Sequence, residues 1–271
     1  MVVTITPSTV EERVVVTAET PLLDRRDTGT STVLTQAEIT QIPTARDPWA
    51  VLSTIPGIMT DRTNVGGNEA GQQSNYVGKG DNGTMSTWVM DGVEFTDNAA
   101  KGATSTYLDF NSFEEIGFVS GGADVDQSTP GLRMNYVTKQ GSNRHTGTMR
   151  MIFADADLQE DIPTPANPEW VVDAGGDENY SGDGINEVFE KNFDIGGPIL
   201  KDKLWYWGGY TQNDIDFDKA GSSDTTKLQN LGLKVHGQAN GGRTNYKVFY
   251  SMGDKVKAGR GASTTRPPAT T

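Results

Sequence analysis

Phe189-Glu190-Lys191-Asn192-Phe193-Asp194-Ile195 alternates along its length: Phe189, Phe193 and Ile195 fall on one side of an extended chain, and Glu190, Asn192 and Asp194 on the other. A period of two marks a strand with one apolar and one polar face. The pattern recurs on both sides of this stretch. Met149, Met151 and Phe153 oppose Thr148, Arg150 and Ile152, and Leu231, Leu233 and Val235 oppose Asn230, Gly232, Lys234 and His236. Tyr246, Val248 and Tyr250 oppose Lys247, Phe249 and Ser251. No helical period appears after residue 144, and each segment is near the ~9–11 residues of a membrane-spanning strand.

The connections alternate as well. Residues 155–187 form a long acidic loop, containing Asp155, Asp157, Glu160, Asp161, Glu169, Asp173, Asp177, Glu178, Asp183 and Glu187 and no lysine or arginine. Leu200-Lys201-Asp202-Lys203 is a tight turn, residues 216–226 read as a longer polar loop, and Ala239-Asn240-Gly241-Gly242 is short again. Long, short, long, short is the wiring of outer-membrane barrels. Trp205, Tyr206, Trp207 and Tyr210, beside a tight turn, fit an interfacial aromatic girdle. A soluble sandwich is the alternative that the same alternation allows.

Composition narrows the classes. The 271 residues carry 36 acidic and 23 basic side chains, a net charge of -13, which argues against binding a nucleic-acid backbone. The 32 glycines suit a β-rich chain with many turns, and the absence of cysteine rules out disulfides and thiolate metal sites. No stretch approaches the ~20 apolar residues of a membrane helix. Met1-Val2-Val3-Thr4 has neither the basic start nor the apolar core of a signal peptide, and Arg266-Pro267-Pro268-Ala269-Thr270-Thr271 reads as loop. The chain is therefore expected to be a fragment of a longer product. Five strands are too few to close a barrel, which points the same way.

Upstream, residues 31–143 mix helices and strands. Thr32-Val33-Leu34 reads as a strand, and Thr35 with Glu38 three residues on fits a capping box opening a short helix toward Ile39 and Ile42. Pro43 ends it. Asp47-Pro48 predicts a second helix with Trp49, Leu52 and Ile55 on one face, stopped at Pro56-Gly57. Residues 65–81, rich in Gly, Asn and Gln, read as loop. Asp91-Gly92 between Thr87–Met90 and Val93–Phe95 predicts a tight hairpin. Further strands are expected over residues 113–120 and 132–139, giving a compact α+β domain. Residues 1–30 are extended and polar. Within them Glu12-Arg13-Val14-Val15-Val16-Thr17-Ala18 reads either as an edge strand of its own domain or as a tether that a partner captures by strand addition.

Taken in order, these stretches resemble the TonB-dependent outer-membrane receptors. Glu12 through Ala18 resembles the TonB box, and Ile42 through Trp49 with Ile55-Pro56-Gly57-Ile58 looks like the start of the plug. Trp88 through Val93, and Phe113 through Ile116 with Ser120 through Ala123, resemble later plug strands. Asn135 through Asn143 resembles the plug-to-barrel junction, and Gly196-Gly197-Pro198-Ile199 with Lys201 through Trp205 resembles the first barrel hairpin. Gly66-Gly67-Asn68-Glu69 and Gly71-Gln72-Gln73-Ser74 look like the Oar-like subgroup, which carries a carboxypeptidase-regulatory-like domain ahead of the plug, and residues 2–10 could be its last strand.

The resemblance implies an α+β plug domain followed by antiparallel strands of an incomplete transmembrane β-barrel. It divides the chain into an extended segment (1–30), a plug (31–143) and the first about five of some 22 barrel strands (144–271). It implies an outer-membrane location, contact with outer-membrane lipid, and gated uptake of an extracellular ligand. TonB would be the periplasmic partner, bound through Glu12, Val14, Val15, Val16, Thr17 and Ala18. Asn68, Gln72, Gln73, Asn75, Asp81 and Asn82 are the ligand-facing candidates, because amides and backbone groups suit polar ligands such as glycans or peptides. The alternative is that these loops only hydrogen-bond the barrel wall. An adhesion or structural protein of the same architecture is the second reading. Catalysis has no support: His145 and His236 lack neighbours at metal-ligand spacing, and neither a nucleophile elbow nor a phosphate loop occurs. No cofactor or metal is expected. The acidic loop does not match an EF-hand.

Overall fold

A computed structural model describes residues 31–41, 46–62, 64, 66–78, 81–100, 102–120, 130–158, 184–219, 222–260 and 269–270. The segment Glu12–Ala18 and most of the acidic loop lie outside the described residues.

The small domain is built on a five-stranded sheet. Its strands are β1 (Ser31–Thr35), β4 (Thr87–Met90), β5 (Val93–Glu94), β6 (Phe113–Val119) and β7 (Arg133–Thr138), in the order β1-β6-β7-β4-β5. Only β4 and β7 run parallel. Two short helices accompany it, α1 (Gln36–Gln41) and α2 (Pro48–Leu52). The Glu38 limb of the capping box forms: the Thr35 N–H and hydroxyl both donate to Glu38 Oε2 at 2.8 Å. Asp47 caps α2 by accepting from the N–H groups of Trp49 and Ala50, with Pro48 behind it. This helix stops at Leu52, earlier than its apolar spacing suggests, yet Trp49, Leu52 and Ile55 are all buried. Asp91 (φ 49) and Gly92 (φ 88) make the hairpin turn, both in the left-handed region that a tight hairpin requires.

Within the stretch expected to be loop, Tyr76–Gly78 forms β3 and pairs with β2, Ile58–Thr60. The core is aromatic. Trp88 is fully buried, stacked on Tyr136 at 5.8 Å and flanked by Trp49 and Tyr76.

The second unit is one antiparallel meander: β8 (Thr146–Asp155), β9 (Gly184–Leu200), β10 (Leu204–Lys219), β11 (Ser222–Ala239), β12 (Thr244–Arg260) and the two-residue β13 (Ala269–Thr270). Paired residues share a face, so register assembles the two faces. Met149 lies opposite Phe193, Phe193 opposite Tyr210, Tyr210 opposite Leu231, and Leu231 opposite Met252. Rows through Ile195, Leu233 and Tyr250, and through Val235 and Val248, extend this outer apolar belt. Its large side chains are exposed, as a lipid-facing surface requires. The inner face carries Glu190, Asn192, Asp194, Thr211, Asn213, Asn230 and Lys234, all buried against the small domain.

Three expectations need correction. Strands β9 to β12 run 16 to 18 residues, longer than the bilayer requires. The outer positions turn polar from Gln212 through Asp214, Asp216 and Asp218 while the ladder continues, with Asp216 opposite Thr225 and Asp218 opposite Ser223. The polar stretch expected as a loop over 216–226 is therefore mostly strand, because backbone pairing does not need an apolar outer face. Finally, Trp205 and Trp207 point inward, since adjacent residues on a strand cannot share a face with Tyr206. Trp205 stacks on His236 at 5.1 Å, and Trp207 fills the space left by Gly209 and Gly232. Only Tyr206 and Tyr210 of the four remain on the outer face.

Candidate functional site

The chemistry-bearing residues converge on the seam between the small domain and the inner face of the sheet. Three polar clusters tie the two together, each joining residues far apart in sequence.

The first centres on Arg46, just ahead of α2. Its Nε donates to Glu190 Oε1 at 3.0 Å, its other arm donates to Asn111 Oδ1, and the guanidinium lies over the Phe110 ring at 5.4 Å. Asn111 donates on to Glu190 at 3.1 Å, Thr211 donates to Asp109 at 2.9 Å, and Asn192 donates to Thr211 at 3.0 Å. Asp109 also caps its own turn, accepting from the Asn111 N–H and the Ser112 hydroxyl. Burial lowers the Arg46 pKa against the opposing pull of Glu190, and burial raises that of Asp109. Nearby, Lys139 pairs with Asp194 at 3.1 Å.

The second cluster seats the 91–92 turn. Lys234 is 1 % exposed, and its Nζ donates to Thr138 O at 2.9 Å and Thr138 Oγ1 at 2.7 Å and pairs with Asp91 at 3.0 Å. Lys247 approaches the other Asp91 oxygen at 3.6 Å. Burial alone would push the Asp91 carboxyl up; hydrogen bonds from Thr138 and the Lys234 charge outweigh it and hold it below the usual carboxylate range.

The third cluster joins α2 to β12. Gly71 N–H donates to Asp47 Oδ2 at 2.8 Å, while Lys255 Nζ donates to Gly71 O at 2.6 Å and to Gln72 Oε1 at 2.9 Å. Gln72 donates to Thr226 Oγ1 at 3.1 Å. Gly71 sits at φ 72, in the left-handed region that favours glycine, and a Cβ there would press on the Leu228 side chain of the sheet at 2.9 Å. Burial pushes the Asp47 carboxyl up to about 6, against the backbone donors and Lys255, which pull it down.

The ligand-facing candidates separate on this geometry. Gln72 is spent on the sheet as described, and Asp81 is buried, accepting from Gly83 N–H, Met85 N–H and the Ser86 hydroxyl. Neither faces outward: a buried amide or carboxylate must be satisfied, and the fold satisfies both internally. Gln73 donates to Thr104, and Asn68 is half-buried in the turn before Gly71. Asn75 and Asn82 are exposed, bonded to Asp61 and Thr84. Among the described residues no group of three or more His, Asp or Glu could hold a metal ion. Arg46, Asp109 and Asn111 escaped sequence reasoning because their partners lie 65 to 144 positions away. The available signal was the polar face of 189–195: three buried polar residues on one strand face demand polar partners.

Comparison with known proteins agrees with this architecture. Residues 24–146 match the family model for the TonB-dependent receptor plug domain. Over 145 residues the chain is 28% identical to the TonB-dependent transporter Oar of Myxococcus xanthus, covering 52% of this chain and 13% of that protein. Among solved structures, the outer membrane transporter YddB from Escherichia coli superposes with a TM-score of 0.63 at 14% identity, over 84% of this chain and 33% of that one. The siderophore receptor PirA from Acinetobacter baumannii gives 0.60 at 17% identity, over 86% and 32%.

A plug domain seated against antiparallel strands whose outer face is apolar defines a plugged outer-membrane barrel protein. Residues 24–146 match the plug domain of the TonB-dependent receptors, and the curated likeness of the chain is to an Oar-type transporter. The chain spans about a third of those solved receptors and 13% of the curated relative.

Proposed function

We propose that the protein is a gated receptor that takes up an extracellular ligand across the outer membrane, with the plug as its gate. Residues 31–143 would be the plug, residues 144–271 the first strands of the barrel, and residues 1–30 a periplasmic tether, with residues 2–10 the end of a regulatory-like domain. The observation that carries this reading is the chemistry of the seam. The plug holds itself together by aromatic packing and meets the wall through ion pairs and hydrogen bonds beside one small apolar contact, Ala70 against Val188, Ile215 and Phe217. Water can take over such contacts when two surfaces part, whereas an apolar interface would resist separation in proportion to its area. Trp207 Nε1, Asn213 Oδ1 and Asn230 Oδ1 are buried at this seam without a protein partner, which further lowers the cost of parting it.

TonB would supply the pull through Glu12, Val14, Val15, Val16, Thr17 and Ala18. β-Branched residues favour the extended backbone that strand addition needs. The likeness to a siderophore receptor at 17% identity carries the fold and no ligand, so the ligand is only one that the exposed Asn75 and Asn82 could meet from the plug side. The test is Val15→Pro in the full-length receptor, with ligand binding and energised uptake measured side by side. The expected result is uptake abolished with binding intact, because proline removes a backbone donor from the pairing strand. Uptake at the parental rate would remove the TonB assignment. Uptake that persists in cells lacking TonB would replace the transporter reading with an adhesion protein.

A further inference from the structure

Two cavities lie one after the other along the inner face of β8 and β9. The first, about 220 Å³, is lined by Asn64, Gly66 and Gly67 from the plug and by Ile152, Val188 and Asn213 from the wall. The second, about 230 Å³, is lined by Gln36, Thr40 and Lys139 from the plug and by Thr148, Arg150 and Asn192 from the wall. Inward positions along β8 run Thr148, Arg150, Ile152, and along β9 Asn192, Glu190, Val188, so the two spaces are consecutive on the same strands. Arg46 lines both, and Glu190 lines the first. Arg46, which pairs with Glu190 and is braced by Asn111, is the lining residue the two spaces share.

We propose that the Arg46–Glu190 pair is a bar across a path for small water-soluble solutes running along the β8–β9 wall. The proposal deepens the receptor reading above and rests on its placement of the plug inside a closed barrel. Both cavities are large enough for several waters and offer them polar partners. The first presents Asn213 Oδ1, buried and without a protein partner, and the second presents Thr148 and Arg150. The bar is well placed to close by charge. Arg46 reaches across from the plug while Glu190 is fixed to the wall, so a small displacement of the plug near α2 withdraws one partner from the other. Asn111 hydrogen-bonds both partners, which fixes the closed position and limits the motion that opens it.

The experiment uses the full-length receptor, purified and reconstituted in planar bilayers in potassium chloride, with neither TonB nor ligand present. The parent should be silent. Arg46→Ala and, independently, Glu190→Gln should each raise the ionic conductance at least tenfold above the parental baseline, and the exchange Arg46→Glu with Glu190→Arg should bring it back toward silence. Lys255→Ala is the control: it loosens a seam contact that lines neither cavity, and it should stay silent. Conductance absent in both single variants overturns the proposal. So does equal conductance from Lys255→Ala, which would mean that any loosened plug leaks. Because no uptake is measured, either failure leaves the receptor reading standing, and failure of the Val15→Pro test leaves this one standing.

Discussion

The interior of the plug and its seam with the wall are solved by opposite chemistry. Inside, Trp49, Trp88, Phe113, Ile116, Met134 and Tyr136 exclude water, and each is 2% exposed or less. At the seam, Glu190 and Lys234 are buried and Arg46, Asp91 and Lys139 are mostly covered, yet all five are charged and held by named partners. Apolar packing is non-directional and strong per unit area; a buried ion pair roughly offsets its own desolvation and is strong only against the loss of one partner. The plug can therefore stay a folded body while its attachment to the wall is exchanged. Three experiments test that division.

The largest effect belongs to the core. Trp88→Ala removes the ring that stacks on Tyr136 and touches Trp49 and Tyr76, and should cost the plug about 3–5 kcal/mol. Protease sensitivity of the plug in the reconstituted full-length receptor measures it. The expected outcome is cutting throughout residues 31–143 with the strands intact. If the plug stays resistant, aromatic packing is not what holds it.

At the seam, single and double replacements should diverge. Lys234→Met leaves Asp91 buried with only Lys247 at 3.6 Å and the Thr138 groups, and should cost about 3 kcal/mol, the low end for breaking a buried pair. Adding Asp91→Asn removes the stranded charge while tolerating the left-handed turn at φ 49, so the double variant should recover half or more of the loss. Thermal melting of the three proteins checks it. A double variant worse than the single one would mean that the pair is a net source of stability, and the two regions would not differ as argued.

The same division governs what could be read from sequence. Local rules succeeded where the partner is local: the Thr35–Glu38 box, the Asp47-Pro48 start and the Asp91-Gly92 turn each form with their own neighbours. Alternation gave the strands and their faces: Phe193 pairs with Met149 on one side and Tyr210 on the other, and Tyr210 with Leu231, in one continuous outer row. Strand ends were not legible, since a ladder of Asp216 with Thr225 continues without any apolar signal. The seam was hidden for a different reason. Glu190 and Asn192 announce a buried polar face, but nothing near them in sequence says that Arg46 and Asn111 answer it. Gln72 and Asp81 show the same limit: polarity marks a residue as needing partners and leaves open whether they come from a ligand or from the fold.

Asp47 belongs to both regions, and its titration measures their coupling. It caps α2, whose Trp49 and Leu52 are core, and it accepts from Gly71, which Lys255 of the wall holds from the other side. With its pKa raised from 3.8 to about 6, the folded plug keeps this proton at a pH where the unfolded chain has released it. The group's contribution is thus most favourable below about 4, falls as pH rises toward about 6, and is level above that, with a ceiling of about 3 kcal/mol at ~1.4 kcal/mol per unit. Asp47→Asn keeps a capping oxygen, loses the Gly71 bond, and has nothing to titrate. Melting temperatures of the full-length receptor, taken as parent minus Asp47→Asn, should therefore rise on acidification from pH 7 to pH 5. Lys255→Ala in the same scan should move the rise to higher pH, because the wall cation is one of the groups that hold the carboxyl down. A difference curve flat across that window would show that burial does not govern this carboxylate. A rise left in place by Lys255→Ala would show instead that the plug core does not sense its attachment to the wall.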